Sequence, residues 1–175
     1  MLRNTATSYG WLSRLLHWTV SIMIFILLGA GYYMTSEPPK YDVYPIHKAT
    51  GFVLLILVIL RLTWRLNNTN PDLPSTTPHW QAVAANLNIK VLYALMLAQP
   101  ISGILMSLYD GHAISVYGLF IIPAFVKNEK LSILAKEFHS AFAVLLILAI
   151  TLHVLGGLYH HFIRKDNVLV RMIKG

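Results

Sequence analysis

The sequence contains no cysteine. That absence excludes disulfide frameworks, thiolate zinc sites, cysteine-held iron–sulfur clusters and thiol nucleophiles. Charge is nearly as scarce. Asp, Glu, Lys and Arg make up 12% of the 175 residues, about half the share found in an ordinary soluble domain. So few charges could not cover a water-facing surface on a chain of this size. Meanwhile 56% of the residues are hydrophobic, and mean hydropathy is +0.59. Soluble globular classes and disorder are set aside, and a single-domain polytopic membrane protein is left. Acids are scarcest: seven Asp and Glu stand against fourteen Lys and Arg. The basic residues flank apolar runs, which points to membrane topology and not to nucleic acid.

Long apolar runs are what the sequence has in quantity. Crossing a hydrocarbon core of about 30 Å takes roughly 20 such residues. Helices are predicted at about 15–34, 46–64, 89–108 and 138–162, giving an all-α transmembrane four-helix bundle over residues 1–175. The first run is longer than the roughly 7–15 apolar residues of a signal peptide. It also carries His17 and Trp18 at its start, so it reads as a retained span. Residues 67–78, rich in Asn, Pro, Ser and Thr, read as a polar loop. The link 110–137 contains an apolar stretch, 114–125, that is too short to span. It is expected to lie at the interface or to cover one end of the bundle.

Nine of the fourteen Lys and Arg fall on the side of the termini and of the loop between the second and third helices. The other five are offset by Glu37, Asp42, Asp110, Glu129 and Glu137. The positive-inside rule then predicts both termini in the cytoplasm.

Ionisable residues inside a span are expensive and are read first as functional. Four of the eight histidines lie at useful depth: His17, His47, His139 and His153. His139 and His153 are 14 residues apart, about 21 Å along a helix and within ~40° of whole turns. One face of one helix therefore offers an imidazole near each leaflet. The alternating direction of the helices predicts two pairs at matched depth, His47 with His139 on the outer side and His17 with His153 on the inner side. The residues four places after these histidines, Ser21, Gly51, Ala143 and Gly157, are all small. At that offset they lie on the same helix face, where a flat porphyrin would need room. The other histidines are followed by Val83, Val116, Arg164 and Lys165.

Two imidazoles fill both axial positions of a haem iron and suit electron transfer. A bare metal such as zinc would want three or four ligands at one level, and no Asp or Glu lies inside any predicted span. Two histidines per level fit haem better. The competing reading is four buried histidines bonded across helices.

The residues Leu16-His17-Trp18, His47 followed by Gly51, and Ile59-Leu60-Arg61-Leu62 form a pattern along the chain. Tyr93, Pro100 and Gly103 continue it. So do His139 with His153 and a tail of His160-His161-Phe162, Lys165-Asp166-Asn167 and Arg171-Met172. In this combination the chain resembles the bacterial cytochrome b561 family, which is related to the cytochrome b subunit of nickel–iron hydrogenases. The resemblance covers essentially the whole chain. It implies two haem b groups held by His17, His47, His139 and His153, in the bacterial inner membrane, with electrons exchanged with quinone. Some members resemble superoxide:ubiquinone oxidoreductases. Others are membrane anchors and electron conduits for a partner redox enzyme, and both functions are carried forward. Many relatives carry histidines at the start of the third helix, where this chain has Asn86-Leu87-Asn88-Ile89-Lys90.

His160, seven residues after His153, should face the same way. It is the candidate catalytic group for passing protons to quinone, with an interfacial histidine as the plainer reading. Arg14, Arg61 and Arg65 are candidates for haem propionates or for plain membrane anchoring. Five lysines on the outer side could draw in an anion such as superoxide, although the five acids there roughly cancel them.

Overall fold

A computed structural model describes all residues 1–175. Four long helices dominate it: α1 (Trp11–Met34), α2 (Tyr44–Leu66), α3 (His79–Tyr109) and α4 (Glu129–Tyr159). Each is long and apolar enough to cross a membrane. A short hairpin, β1 (Ile114–Val116) and β2 (Phe120–Ile122), joins α3 to α4. A π-helical turn, His160–Arg164, extends α4 and leads to the short α5 (Val168–Ile173).

Local chemistry sets the ends. Pro45 stands in the first turn of α2, where its missing N–H costs nothing. The Asn128 side chain accepts the Leu131 amide at 3.1 Å and caps α4. Pro38 and Pro39 follow α1 and stop it. Two helices begin earlier than hydropathy predicts, α3 at His79 instead of about 89 and α4 at Glu129 instead of about 138. Hydropathy locates only the stretch inside hydrocarbon. Good helix formers such as Gln81, Ala82, Leu134, Ala135 and Lys136 carry the backbone hydrogen bonding on into the interface.

The 114–125 stretch is a hairpin at one end of the bundle. Ile114 and Val116 are buried and Ser115 is exposed, the two-residue alternation of a strand. The buried pair packs with Leu108 against Phe52, Val53 and Ile104, so the hairpin covers the ends of α2 and α3. Its turn places Tyr117 and Gly118 at φ 51° and 74°, the left-handed geometry that suits a tight hairpin.

Both termini and the α2–α3 loop gather at the opposite end. The Asn4 side chain donates to the Thr69 carbonyl at 2.7 Å, and Arg171 donates to the Asp72 carbonyl at 2.9 Å. Trp18 donates its indole N–H to the Met172 carbonyl at 3.1 Å, tying α5 to α1. We call this the terminal end and the other the hairpin end.

Packing along the bundle is uneven. α1 packs on α2, α2 on α3, and α3 most extensively on α4. The α4 backbone stands off from α1 and α2. Side chains bridge that gap at mid-depth, where Val20, Ile24, Leu54, Val58, Leu146 and Ala149 meet in the core. Much of the remaining apolar surface is exposed: Phe25 is 58% accessible and Leu152 65%. Such surface suits lipid, which is as apolar as the side chains it touches.

Candidate functional site

The gap beside α4 is where the intramembrane histidines meet. At the hairpin end the rings of His47 (α2) and His139 (α4) lie 6.5 Å apart between centres. At the terminal end His17 (α1) and His153 (α4) lie 6.2 Å apart. The structure thus brings together the two pairs named from sequence. Leu146 lies seven residues from both His139 and His153 and is buried in the core layer between the two levels. No third His, Asp or Glu joins either pair to form a cluster.

The hairpin-end pair is built on α3. His139 Nδ1 lies 2.9 Å from the Gln99 carbonyl oxygen and 3.2 Å from Ser102 Oγ. A carbonyl can only accept, so the ring hydrogen is on Nδ1 and Nε2 carries the lone pair, which accepts from the Gln99 side-chain amide. The Gln99 amide nitrogen stands 3.3 Å from that Nε2. Gly103 lets the imidazole approach α3 this closely, since a Cβ built there would sit 2.8 Å from His139 Cε1. Opposite, His47 Nδ1 is buried with no hydrogen-bond partner. Between the rings is a small open-sided cleft of about 50 Å³, lined by Gly51, Leu54, Met96, Pro100 and Leu146 as well as the two histidines. Gly51 leaves open space there: a Cβ would meet nothing within 4 Å.

The terminal-end pair is set differently. Arg61 Nη2 lies 2.7 Å from His17 Nδ1. Trp18 stands edge-on to His17 at 5.1 Å. The Arg61 guanidinium lies 5.4 Å from the centre of the buried Tyr93 ring, and Arg65 lies 6.0 Å from it. Arg61 therefore reaches inward to the site instead of out to headgroups, whereas Arg14 donates to the Ile173 carbonyl at the chain's end. Gly157, one turn beyond His153, also has open space at its Cβ position. Gly29 and Gly156 are equally open, so openness alone does not mark a cofactor face.

The other histidines stand apart. His79 opens α3, although the sequence placed it in a loop, and His112 pairs with Asp110 at 3.1 Å in an exposed position. His161 is exposed and stacks edge-on with Phe162. His160 differs: its Nδ1 lies 2.6 Å from Asp166 Oδ2, and both side chains are largely shielded. Burial pushes the Asp166 carboxyl up. The hydrogen bonds from His160 and the Val168 amide, with the charges of His160 and Arg164, outweigh it and hold the carboxyl below its usual value. Asn88 donates to the Ala149 carbonyl at 3.1 Å and so braces α3 against α4. Lys90 is exposed.

Sequence reasoning missed Gln99 and Ser102 as supports of His139, Arg61 as the neighbour of His17, and Asp166 as the partner of His160. Gly103 entered only as part of a family pattern. Each of these contacts except that of Asp166 with His160 joins different helices, and no periodicity along one helix reports them.

The model of the family described as "Prokaryotic cytochrome b561" matches residues 8–175. The chain belongs to that family. It is 33% identical over 177 residues to "Cytochrome b561 homolog 2" of Escherichia coli (strain K12), covering 97% of this chain and 93% of the relative. Over 162 residues it is 29% identical to "Cytochrome b561 homolog 1" of the same strain, covering 90% and 92%. It is also 30% identical over 161 residues to the "Probable superoxide oxidase CybB" of Yersinia pestis, covering 90% and 91%. This cytochrome is accordingly an integral membrane protein of a b-type haem, electron-transfer family. Its residues fit that group: the His47 ring, whose buried Nδ1 has no protein partner, lies opposite His139 at a cleft lined mainly by apolar side chains.

Proposed function

We propose that this cytochrome holds two b-type haems, one between His47 and His139 and one between His17 and His153, and carries electrons through the membrane to quinone. The observation that carries this reading is the spacing of the two ring pairs across the gap beside α4. A metal–imidazole bond is about 2 Å, so adding the half-width of each ring separates two rings on opposite sides of one ion by roughly 6 Å between centres. Both pairs have that separation, at 6.5 and 6.2 Å. Haem held by His47 with His139 and by His17 with His153 would supply one-electron transfer.

The protein's own groups do the rest. Gln99 holds His139 in the tautomer that presents Nε2, as a partner on the far nitrogen of a ligating histidine does. Leu146 and its neighbours keep water from the space between the levels. The positive-inside rule puts the terminal end in the cytoplasm of a bacterial inner membrane. Superoxide is the proposed donor at the hairpin end, by likeness to the Yersinia relative. Two superoxide anions each lose one electron to become O₂, and one quinone gains two electrons and two protons to become quinol. At the terminal end the Asp166 carboxylate fixes His160 with its hydrogen on Nδ1, leaving Nε2 to pass protons from the cytoplasm to quinone oxygen.

Haem stoichiometry and the reduced optical spectrum of purified protein test the haem assignment. The parent should carry two haems with a sharp b-type band, and His47→Ala should keep one of them. A colourless parent refutes it, and two full equivalents in His47→Ala refute the pairing. Mixing with superoxide and quinone tests the donor. If superoxide leaves the haems oxidised while a co-purifying redox protein reduces them, the chain is the membrane conduit of a larger enzyme.

A further inference from the structure

The two histidine pairs have different electrostatic surroundings. At the hairpin end every group bonded to His139 is neutral: the Gln99 carbonyl, the Ser102 hydroxyl and the Gln99 amide. His47 Nδ1 touches no polar group. Lys48 is next in the chain and, like Arg61, is in no ion pair, but it leaves the helix about 100° further round from His47 and makes no bond to the ring. At the terminal end the Arg61 guanidinium bears directly on His17 Nδ1 at 2.7 Å. Its other near partner is the face of Tyr93, an uncharged ring, and it takes part in none of the molecule's ion pairs. Arg65 adds a second positive charge on the same tyrosine. The half-buried cation beside the terminal-end pair thus has no counter-charge from a protein carboxylate.

We propose that Arg61 sets the order of the two centres, making the one held by His17 and His153 the more readily reduced, so that electrons run downhill from the hairpin end to the terminal end. The inference rests on the haem assignment above. Adding an electron beside a positive charge that no protein carboxylate neutralises is favourable, and the weakly polar interior strengthens the effect. The bonds on the ligand rings act in the same direction. His139 donates its Nδ1 hydrogen to a carbonyl, which makes the ring a stronger electron donor to its metal and favours the oxidised state. His17 faces only a donor at that position, because a guanidinium has no lone pair to offer. A His17 that held the group through Nε2 would carry its hydrogen on Nδ1, and Arg61 would then give up its bond to that nitrogen. Tyr93 still holds the guanidinium beside the pair, so the charge stays.

Potentiometric titration of the purified holoprotein, followed by its optical spectrum, tests this. His47→Ala and His17→Ala identify which spectral component belongs to which end. In the parent the component lost in His17→Ala should have the higher midpoint. Arg61→Gln should lower that midpoint, narrowing or inverting the gap, with the hairpin-end component unmoved. Arg61→Lys, which keeps the charge, should stay near the parent. A parental order with the hairpin-end haem higher overturns the proposal. An unchanged midpoint in Arg61→Gln, or an equal shift of both components, overturns it too. If Arg61→Gln loses its terminal-end haem, the parental order decides alone. A parent without two haems would refute the haem assignment instead, a distinguishable result.

Discussion

Replacing Gly103 with Ala should weaken the proposed haem site at the hairpin end while leaving the helices firmer. A Cβ at position 103 would lie 2.8 Å from His139 Cε1 and 3.1 Å from Nδ1. Carbon contacts are favourable only from about 3.5 Å, so the imidazole must retreat by roughly 0.7 Å. That movement stretches the 2.9 Å bond between His139 Nδ1 and the Gln99 carbonyl beyond about 3.2 Å, where such bonds weaken. Losing the partner that orients a metal-binding histidine typically costs about 10–100-fold in affinity. The helix itself gains, because Ala is favoured over Gly by roughly 0.5–1 kcal/mol in a helix interior. The two effects have opposite signs, so a general loss of stability cannot imitate the outcome. Haem titration of the two proteins should show one site weakened by that factor and the other unmoved. Gly29→Ala is the control, since its Cβ meets nothing within 4 Å. Gly103→Ala binding two haems at parental affinity would refute the claim that His139 must lie this close to α3.

Further outcomes follow from the same geometry. Gly51→Leu should fill the cleft at the hairpin end, and Gly157→Leu the space one turn beyond His153. Each should lower haem content by up to one equivalent, while thermal unfolding of the apoprotein stays near the parent. His160→Ala should slow quinone reduction about 10²–10⁴-fold, the usual contribution of a positioned acid–base group, with both haem bands intact. His161→Ala should leave the rate near the parent, because that ring is exposed and turned to Phe162. Asp166 has a lowered carboxyl value, so its contribution to stability is complete above about pH 4 and lost as pH falls through the folded value. Thermal midpoints of the parent and Asp166→Asn should therefore differ at pH 7, begin to approach each other at about pH 4 and converge only once pH has fallen through the lowered folded value.

Hydropathy and spacing in the chain determined the four spans, the depth of each histidine and the pairing of His47 with His139 and of His17 with His153. These are legible because they follow from periods along single helices and from strict alternation of helix direction, neither of which depends on fine packing. The helix starts at His79 and Glu129 were not legible, since polar helix formers at an interface look like loop by hydropathy. Nor was the standing of α4 apart from α1 and α2, which makes the slot between the histidines. Arg61 looked in sequence more like a membrane anchor than a site residue. Only the crossing of α1 and α2 brings it to His17, 44 positions away in the chain. Gln99 and Gly103 meet His139 from α3, and the bend after the π turn folds Asp166 back on His160. Contacts of this kind depend on helix rotation and separation to within an ångström. The aggregate packing of the bundle sets those quantities, and no single segment of the sequence encodes them.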